Sequence, residues 1–161
     1  MDNDRAEKTA CAKLQTTQQA FIAVRQRTLK LCEPLLVEDF GVQPMADASP
    51  PKWHLAHTSW FFETFCLAGY KKRYSAFHPA YSELYNSYYN GVGNPFPRAL
   101  RGSLSRPTLD EVFAYRRHVD AAVVELVNAM LGASSPAALV KVTELLQLGI
   151  EHEQQHQELL V

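Results

Sequence analysis

Four of the six histidines stand in two tight pairs, His54/His57 and His152/His156. A neutral imidazole is the commonest protein ligand for transition metals, and it also moves protons near neutral pH. Residues four apart on a helix lie one turn apart on one face. The rings of His152 and His156 therefore reach into the same space and can hold one ion between them. A single core-facing histidine is more often a hydrogen-bonded core residue than a ligand. Two at ligand spacing on a buried face shift that balance toward metal binding, because bundle metal sites are built from inward side chains of this kind.

The same residues spell His152-Glu153-Gln154-Gln155-His156, an HExxH string. On a helix that string can be a zinc metalloprotease signature, with the glutamate as general base. A protease of this type usually takes a third ligand downstream, and only five residues follow His156. The chain also offers no strand to align a peptide. The protease reading is therefore the weaker one.

Both pairs need helices to position them. Leu14, Thr17, Phe21, Val24, Thr28 and Leu31 alternate in steps of three and four, which predicts a first helix from about Asp4 to Leu31. Pro34 ends it. A connector broken by Pro44, Pro50 and Pro51 follows, and Ser49 is expected to cap a second helix from about Pro51 to Leu67. Gly69 suits that helix's C-terminal cap. Its inward face is Trp53, His57, Trp60, Thr64 and Leu67, so His57 points inward. His54 falls at the edge of that stripe, as a boundary histidine or a reserve ligand.

Residues 70–106 show no sustained period and hold six of the seven tyrosines (Tyr70, Tyr74, Tyr81, Tyr85, Tyr88 and Tyr89). They read as a long irregular connection with at most a short helical turn, and loops of this length in a compact domain are often functional. The tyrosines are expected mainly to pack beneath it. Thr108-Leu109-Asp110-Glu111 is a capping box that opens a third helix. Val112, Tyr115, Val119, Ala122, Leu126 and Ala129 form its stripe, and Gly132 ends it. Ser134 or Ser135 caps a fourth helix that starts near Ala137 and runs to the chain end. Its expected inward face is Val142, Leu145, Gly149, His152, His156 and Leu159. Four amphipathic helices without a strand pattern predict an all-α four-helix bundle with a long irregular connection between helices 2 and 3.

Three neutral imidazoles, His57, His152 and His156, would leave coordination positions open, the layout of a catalytic site. Nitrogen ligation suits Fe(II), Zn(II), Cu(II) or Ni(II), and the residues alone do not choose. Composition narrows the rest. At 161 residues the chain is one domain's length, with 16 Lys+Arg against 17 Asp+Glu. A net charge of −1 argues against a globally basic nucleic-acid binder. No apolar run is long enough to span a membrane. The polar N-terminus has no hydrophobic signal core. Cys11, Cys32 and Cys66 form no CxxC pair, so a reduced, cytoplasmic protein is expected.

The stretch from Asp47 to Glu63, with Pro50-Pro51-Lys52-Trp53-His54-Leu55-Ala56-His57 at its centre, resembles the N-terminal part of the ergothioneine-biosynthesis sulfoxide synthases. So do Leu84-Tyr85-Asn86-Ser87-Tyr88-Tyr89-Asn90, Arg101-Gly102-Ser103-Leu104-Ser105-Arg106-Pro107 and the segment from His152 to Leu159. These four motifs keep the family's order and span about residues 14–161. The resemblance implies a DinB-like four-helix bundle with a three-histidine non-haem iron site. Carried over residue by residue, the Fe(II) ligands would be His57, His152 and His156. Gln155, just before the last ligand, would contact the imidazole substrate.

The implied reaction joins a thiol such as γ-glutamylcysteine or cysteine to the imidazole of hercynine (Nα-trimethylhistidine), using O2. Ovothiol and selenoneine synthases are close relatives. Family enzymes continue into a domain like the formylglycine-generating enzymes, which supplies a catalytic tyrosine. Residues 1–161 are expected to be the metal-binding bundle alone, cut within its last helix, with no catalytic residue of its own. The missing domain, the small-molecule substrates and no nucleic acid or membrane are the expected partners.

The connection carries Lys71, Lys72, Arg73, Arg98, Arg101 and Arg106 against Glu83 alone. That excess suits a carboxylate-bearing thiol. Lys71, Lys72 and Arg73 read better as a solvated surface, and Arg98 and Arg101 as the substrate-binding candidates. Two other classes remain open at this level: a non-catalytic metal-binding or interaction bundle, and a loop that stacks single-stranded nucleic acid.

Overall fold

The computed structural model describes residues 2–87, 91, 94–133 and 135–161. Among these, four long helices carry the architecture. They are α1 (Asp2–Cys32), α2 (Pro51–Phe62), α3 (Leu109–Ala133) and α4 (Pro136–Glu158). No strand occurs among the described residues, so the all-α bundle is observed. No helix is long and apolar enough to cross a membrane.

Helix starts follow the sequence closely. Thr108 Oγ1 accepts from the Glu111 backbone N–H at 3.2 Å, and the Glu111 carboxylate accepts from the Thr108 backbone N–H at 2.6 Å. Both halves of the capping box are therefore made. Ser135 caps α4 by accepting from the Ala138 N–H. Ser134, the alternative cap, lies outside the described residues, as do Tyr88, Tyr89 and Asn90.

Two expected caps of α2 are corrected. Pro50 occupies the N-cap position without a side-chain bond, and the Ser49 hydroxyl instead accepts from Arg101 at 2.9 Å. At the other end, α2 widens into a π-helical stretch, Glu63–Leu67, before a last turn at Ala68–Tyr70. Gly69 therefore lies inside that turn and Lys71 follows it. Glu63 anchors the widened stretch. It accepts from the Tyr74 and Tyr115 hydroxyls at 2.6 Å each and from the Phe77 N–H at 3.0 Å.

The core runs along all four helices. Leu14, Phe21 and Val24 of α1 meet Trp60, Phe61 and Phe62 of α2, Val112, Tyr115 and Val119 of α3, and Val142, Leu146 and Ile150 of α4. Ala129, expected inward, is exposed, and Met130 takes the buried position instead. α2 packs against α3 and α4, while α1 lies along α4. The 70–106 connection covers the side of α2 the helices leave free, with single turns at Tyr81–Leu84 and Arg98–Ser103. Every residue from Trp53 to Phe62 is consequently buried.

α4 is rotated about one residue from its expected setting. Its buried line is Leu139, Val142, Thr143, Leu146, Gly149, Ile150, Glu153 and Gln157. Leu159 is 68% exposed. The helix also ends at Glu158 rather than continuing, with Leu159 N–H donating to the Gln155 carbonyl. Gly149 lets α4 come close to α2, because a methyl group there would fall on the Phe62 ring.

Candidate metal centre

The three histidines come together. His57 Nε2 lies 3.1 Å from His152 Nε2, which lies 3.2 Å from His156 Nε2. One ligand atom from each stands within 4.8 Å of the others, so the group could hold a metal ion. Imidazole nitrogens about 2.1 Å from a shared ion, at right or tetrahedral angles, stand about 3.0–3.4 Å apart. Both measured separations fall in that interval, and the donor set fits a transition metal.

Each ring is held by different means. His57 lies between two tryptophans, stacked on Trp53 at 4.4 Å and on Trp60 at 5.4 Å between centroids. Its Nδ1 sits 2.6 Å from the Tyr85 carbonyl oxygen. A carbonyl only accepts, so this nitrogen carries the proton and Nε2 keeps its lone pair. His152 stacks on Phe61 at 4.5 Å, and its buried Nδ1 has no hydrogen-bond partner.

His54, expected at the boundary, is corrected to a buried residue, 4% exposed. Its Nδ1 lies 2.7 Å from Nδ1 of His156. The stripe of apolar positions missed this because the ring that packs against His54 is itself polar, His156 of α4.

Burial keeps all four rings neutral at pH 7. It pushes His54 and His152 down to about 4, with Arg101 also lowering His54. Burial, then the neighbouring His152 and His54 rings, pushes His156 down to about 2. His57 falls well below its ordinary value from burial and from the other two rings of the cluster. Neutral imidazoles are the form that binds metal.

The centre opens into a cavity of about 670 Å³ that His57, His152, His156, Gln155, Arg98 and Arg101 all line. Arg101 is already engaged. Its guanidinium lies 3.4 Å over the Trp53 ring and donates to Ser49 Oγ at 2.9 Å and Ser87 Oγ at 3.0 Å. It thus continues the stack Arg101–Trp53–His57–Trp60. Met45, Asp47 and Leu159 also border the cavity, and sequence periodicity gave no signal for the first two.

Glu153 faces the other way. Its carboxylate accepts from Arg116 at 2.8 Å, Arg25 at 3.0 Å and Thr28 at 2.6 Å. Burial alone would raise its pKa, but Arg25, Arg116 and the hydrogen bond from Thr28 hold it at about 2. A carboxylate spent on two arginines in the core is not a general base at the metal, which removes the protease reading of HExxH. Of the tyrosines expected to pack, Tyr81 and Tyr85 are buried in the core and Tyr70 and Tyr74 pack against it, while Tyr88 and Tyr89 lie outside the described residues.

A family model for the DinB superfamily matches residues 20–160. The chain belongs to the DinB superfamily. DinB-like domains are metal-binding in general, in keeping with the three-histidine group. A search of curated proteins finds no match for this DinB-like chain.

Proposed function

We propose that this DinB-like bundle is the Fe(II)-binding domain of an O2-dependent sulfoxide synthase, which joins hercynine to a thiol such as γ-glutamylcysteine or cysteine. The observation that carries the reading is the three-imidazole cluster at the wall of a large cavity lined by Gln155, Arg98 and Arg101. The four sequence motifs shared with the ergothioneine-biosynthesis enzymes supply the substrate class.

When bound, Fe(II) would supply sites for O2 and a thiolate and the redox chemistry between them. His57, His152 and His156 would hold it with no anionic ligand, leaving its positive charge to attract an anionic sulfur. Gln155 carries an amide that can both donate to and accept from an imidazole, so it would orient hercynine. Arg98 would take the carboxylate of the thiol substrate. Arg101, with both terminal nitrogens on serines, would add positive charge to the wall.

The balance is hercynine C–H plus R–SH plus O2 giving the C–S(=O)–R product and water. One C–S bond forms and the sulfur gains one oxygen. O2 takes the four electrons, and its second oxygen leaves as water. In the family the catalytic tyrosine belongs to a domain of another kind, and no residue of this bundle is assigned that role.

Calorimetry on the anaerobic, Fe(II)-loaded chain tests the reading. Hercynine should bind, and Gln155→Ala should weaken it by about tenfold, the scale of one lost hydrogen bond. Arg98→Ala should weaken the thiol and spare hercynine. No hercynine binding to the iron-loaded chain would overturn the assignment.

A further inference from the structure

We propose that the cavity rim formed by Met45, Asp47 and Leu159 reads the cationic end of the substrate, with the Asp47 carboxylate set against its methylated ammonium group. The inference rests on hercynine as the substrate proposed above and adds which residues recognise its trimethylammonium end.

The charges of the cavity carry the first step. Among its described lining residues Arg98 and Arg101 are cationic and Asp47 is the one anion. A bound cation is repelled by the two guanidinium groups and finds a single counter-charge. That counter-charge is uncommitted. The carboxylates of Asp120 and Glu153 are taken by buried arginines, whereas Asp47 has no ion pair among the described residues.

The backbone fixes Asp47 although its side chain is exposed. Ala48 N–H donates to the Met45 carbonyl at 3.2 Å, closing a tight turn with Ala46 and Asp47 at its centre. The turn is fastened on both sides. Before it, the Gln43 amide accepts from the Gly102 N–H at 2.6 Å and donates to the Arg98 carbonyl at 2.9 Å. After it, the Ser49 hydroxyl accepts from Arg101 at 2.9 Å. Met45 and Asp47 thus enter the cavity wall from one anchored turn.

The other rim residues select the kind of cation. Met45 and Leu159 border the same cavity and are 63% and 68% exposed. Two large apolar side chains at a cavity mouth offer contact to methyl groups. A quaternary ammonium has no N–H to satisfy, so it gains from charge and apolar contact together. An open aromatic face would be the other means of holding it. That means is closed here, because the Trp53 ring is stacked between Arg101, at 3.4 Å, and His57, at 4.4 Å.

The test is calorimetry on the anaerobic, Fe(II)-loaded chain with three ligands that share an imidazole: hercynine, histidine and imidazole-4-propionate, which lacks the ammonium. Asp47→Asn should weaken hercynine by about fivefold, the upper end for a solvent-facing ion pair, and leave imidazole-4-propionate unchanged. Met45→Ser should weaken hercynine by about threefold, the scale of one buried methylene, and spare histidine. Asp47→Asn weakening hercynine and imidazole-4-propionate alike, or neither, would overturn the inference. A wild type that binds no hercynine would sink the proposed function instead. Asp47 is then still decided by choline, titrated into the metal-free chain with ¹³C-methyl-labelled methionine. The Met45 methyl signal should shift in wild type and stay still in Asp47→Asn at the same choline concentration. No shift in wild type, or an equal shift in both, would overturn the role of Asp47.

Discussion

The last turns of α4 present two polar faces one residue apart. Glu153 and Gln157 face the core, and His152 and His156 face the cavity. On the core side every oxygen of Glu153 has a donor, and the Gln157 amide donates to the Val24 carbonyl at 3.0 Å and Thr28 Oγ1 at 2.9 Å. On the cavity side the Nε2 atoms of His57, His152 and His156 face one another at 3.1 and 3.2 Å. A buried polar group is tolerable when its partners come with the fold. The first face is closed in that sense. The second is a group of three histidines that could hold a metal ion. The first face is therefore a matter of stability and the second of function, and substitutions should separate them.

The largest effect belongs to the closed face. Glu153→Ala strands Arg25 and Arg116, each about 2% exposed, without their shared carboxylate. Removing one partner of a buried pair costs about 3–5 kcal/mol. For a chain of this size that is a melting-temperature loss on the order of 10 °C, read by calorimetry of the metal-free protein. A loss within experimental error would show that the two faces do not differ in kind.

Gly149→Ala probes the contact between helices that serves both faces. Its methyl group would overlap the Phe62 ring, which is fully buried. Overpacking a core costs about 1–3 kcal/mol. Because Gly149 lies one turn before His152, Zn(II) affinity should fall as well. Unchanged metal affinity alongside lost stability would show that the histidines tolerate a shift of α4.

Thr108→Ala is remote from both faces and serves as the control. Loss of an N-cap costs about 1 kcal/mol, and metal affinity should not move. The pH dependence of the same box is smaller still. The Thr108 backbone N–H and hydroxyl lower the Glu111 pKa below 4.5. A carboxylate with a depressed folded pKa stabilises above its unfolded value and loses that contribution as pH falls. The melting-temperature gap between wild type and Glu111→Gln should therefore be present at pH 7 and close as pH falls below about 4.5 toward the lower folded value. A gap that persists unchanged into the acid range would contradict it.

The three clustered histidines were legible because an i, i+4 spacing on a helix is a local signal. The i, i+4 pair His152/His156 and the inward His57 needed no tertiary knowledge. The capping box at Thr108 and the proline start at Pro51 were legible for the same reason. The closed face was not. The expected inward stripe of α4 leaves out Glu153 and Gln157, because the Arg25 and Arg116 that meet Glu153 come from α1 and α3, more than thirty residues away in sequence. Their charges moved the buried line of α4 by one position. His54 was misplaced because it packs against another polar ring, His156 of α4, at the cavity wall, and a stripe of apolar positions on one helix does not report that. The π-helical widening at Glu63–Leu67 depends on two tyrosine hydroxyls from other segments, which no local pattern announces.

The central claim is that the open face is completed by a metal. Metal analysis of the anaerobically purified chain tests it most directly, comparing wild type with the triple variant His57→Ala, His152→Ala and His156→Ala. About one equivalent of iron per chain is expected in the wild type and none in the triple variant, with Glu153→Gln retaining most of it. Iron retained in the triple variant, or a wild type that takes up none when Fe(II) is supplied, would contradict it.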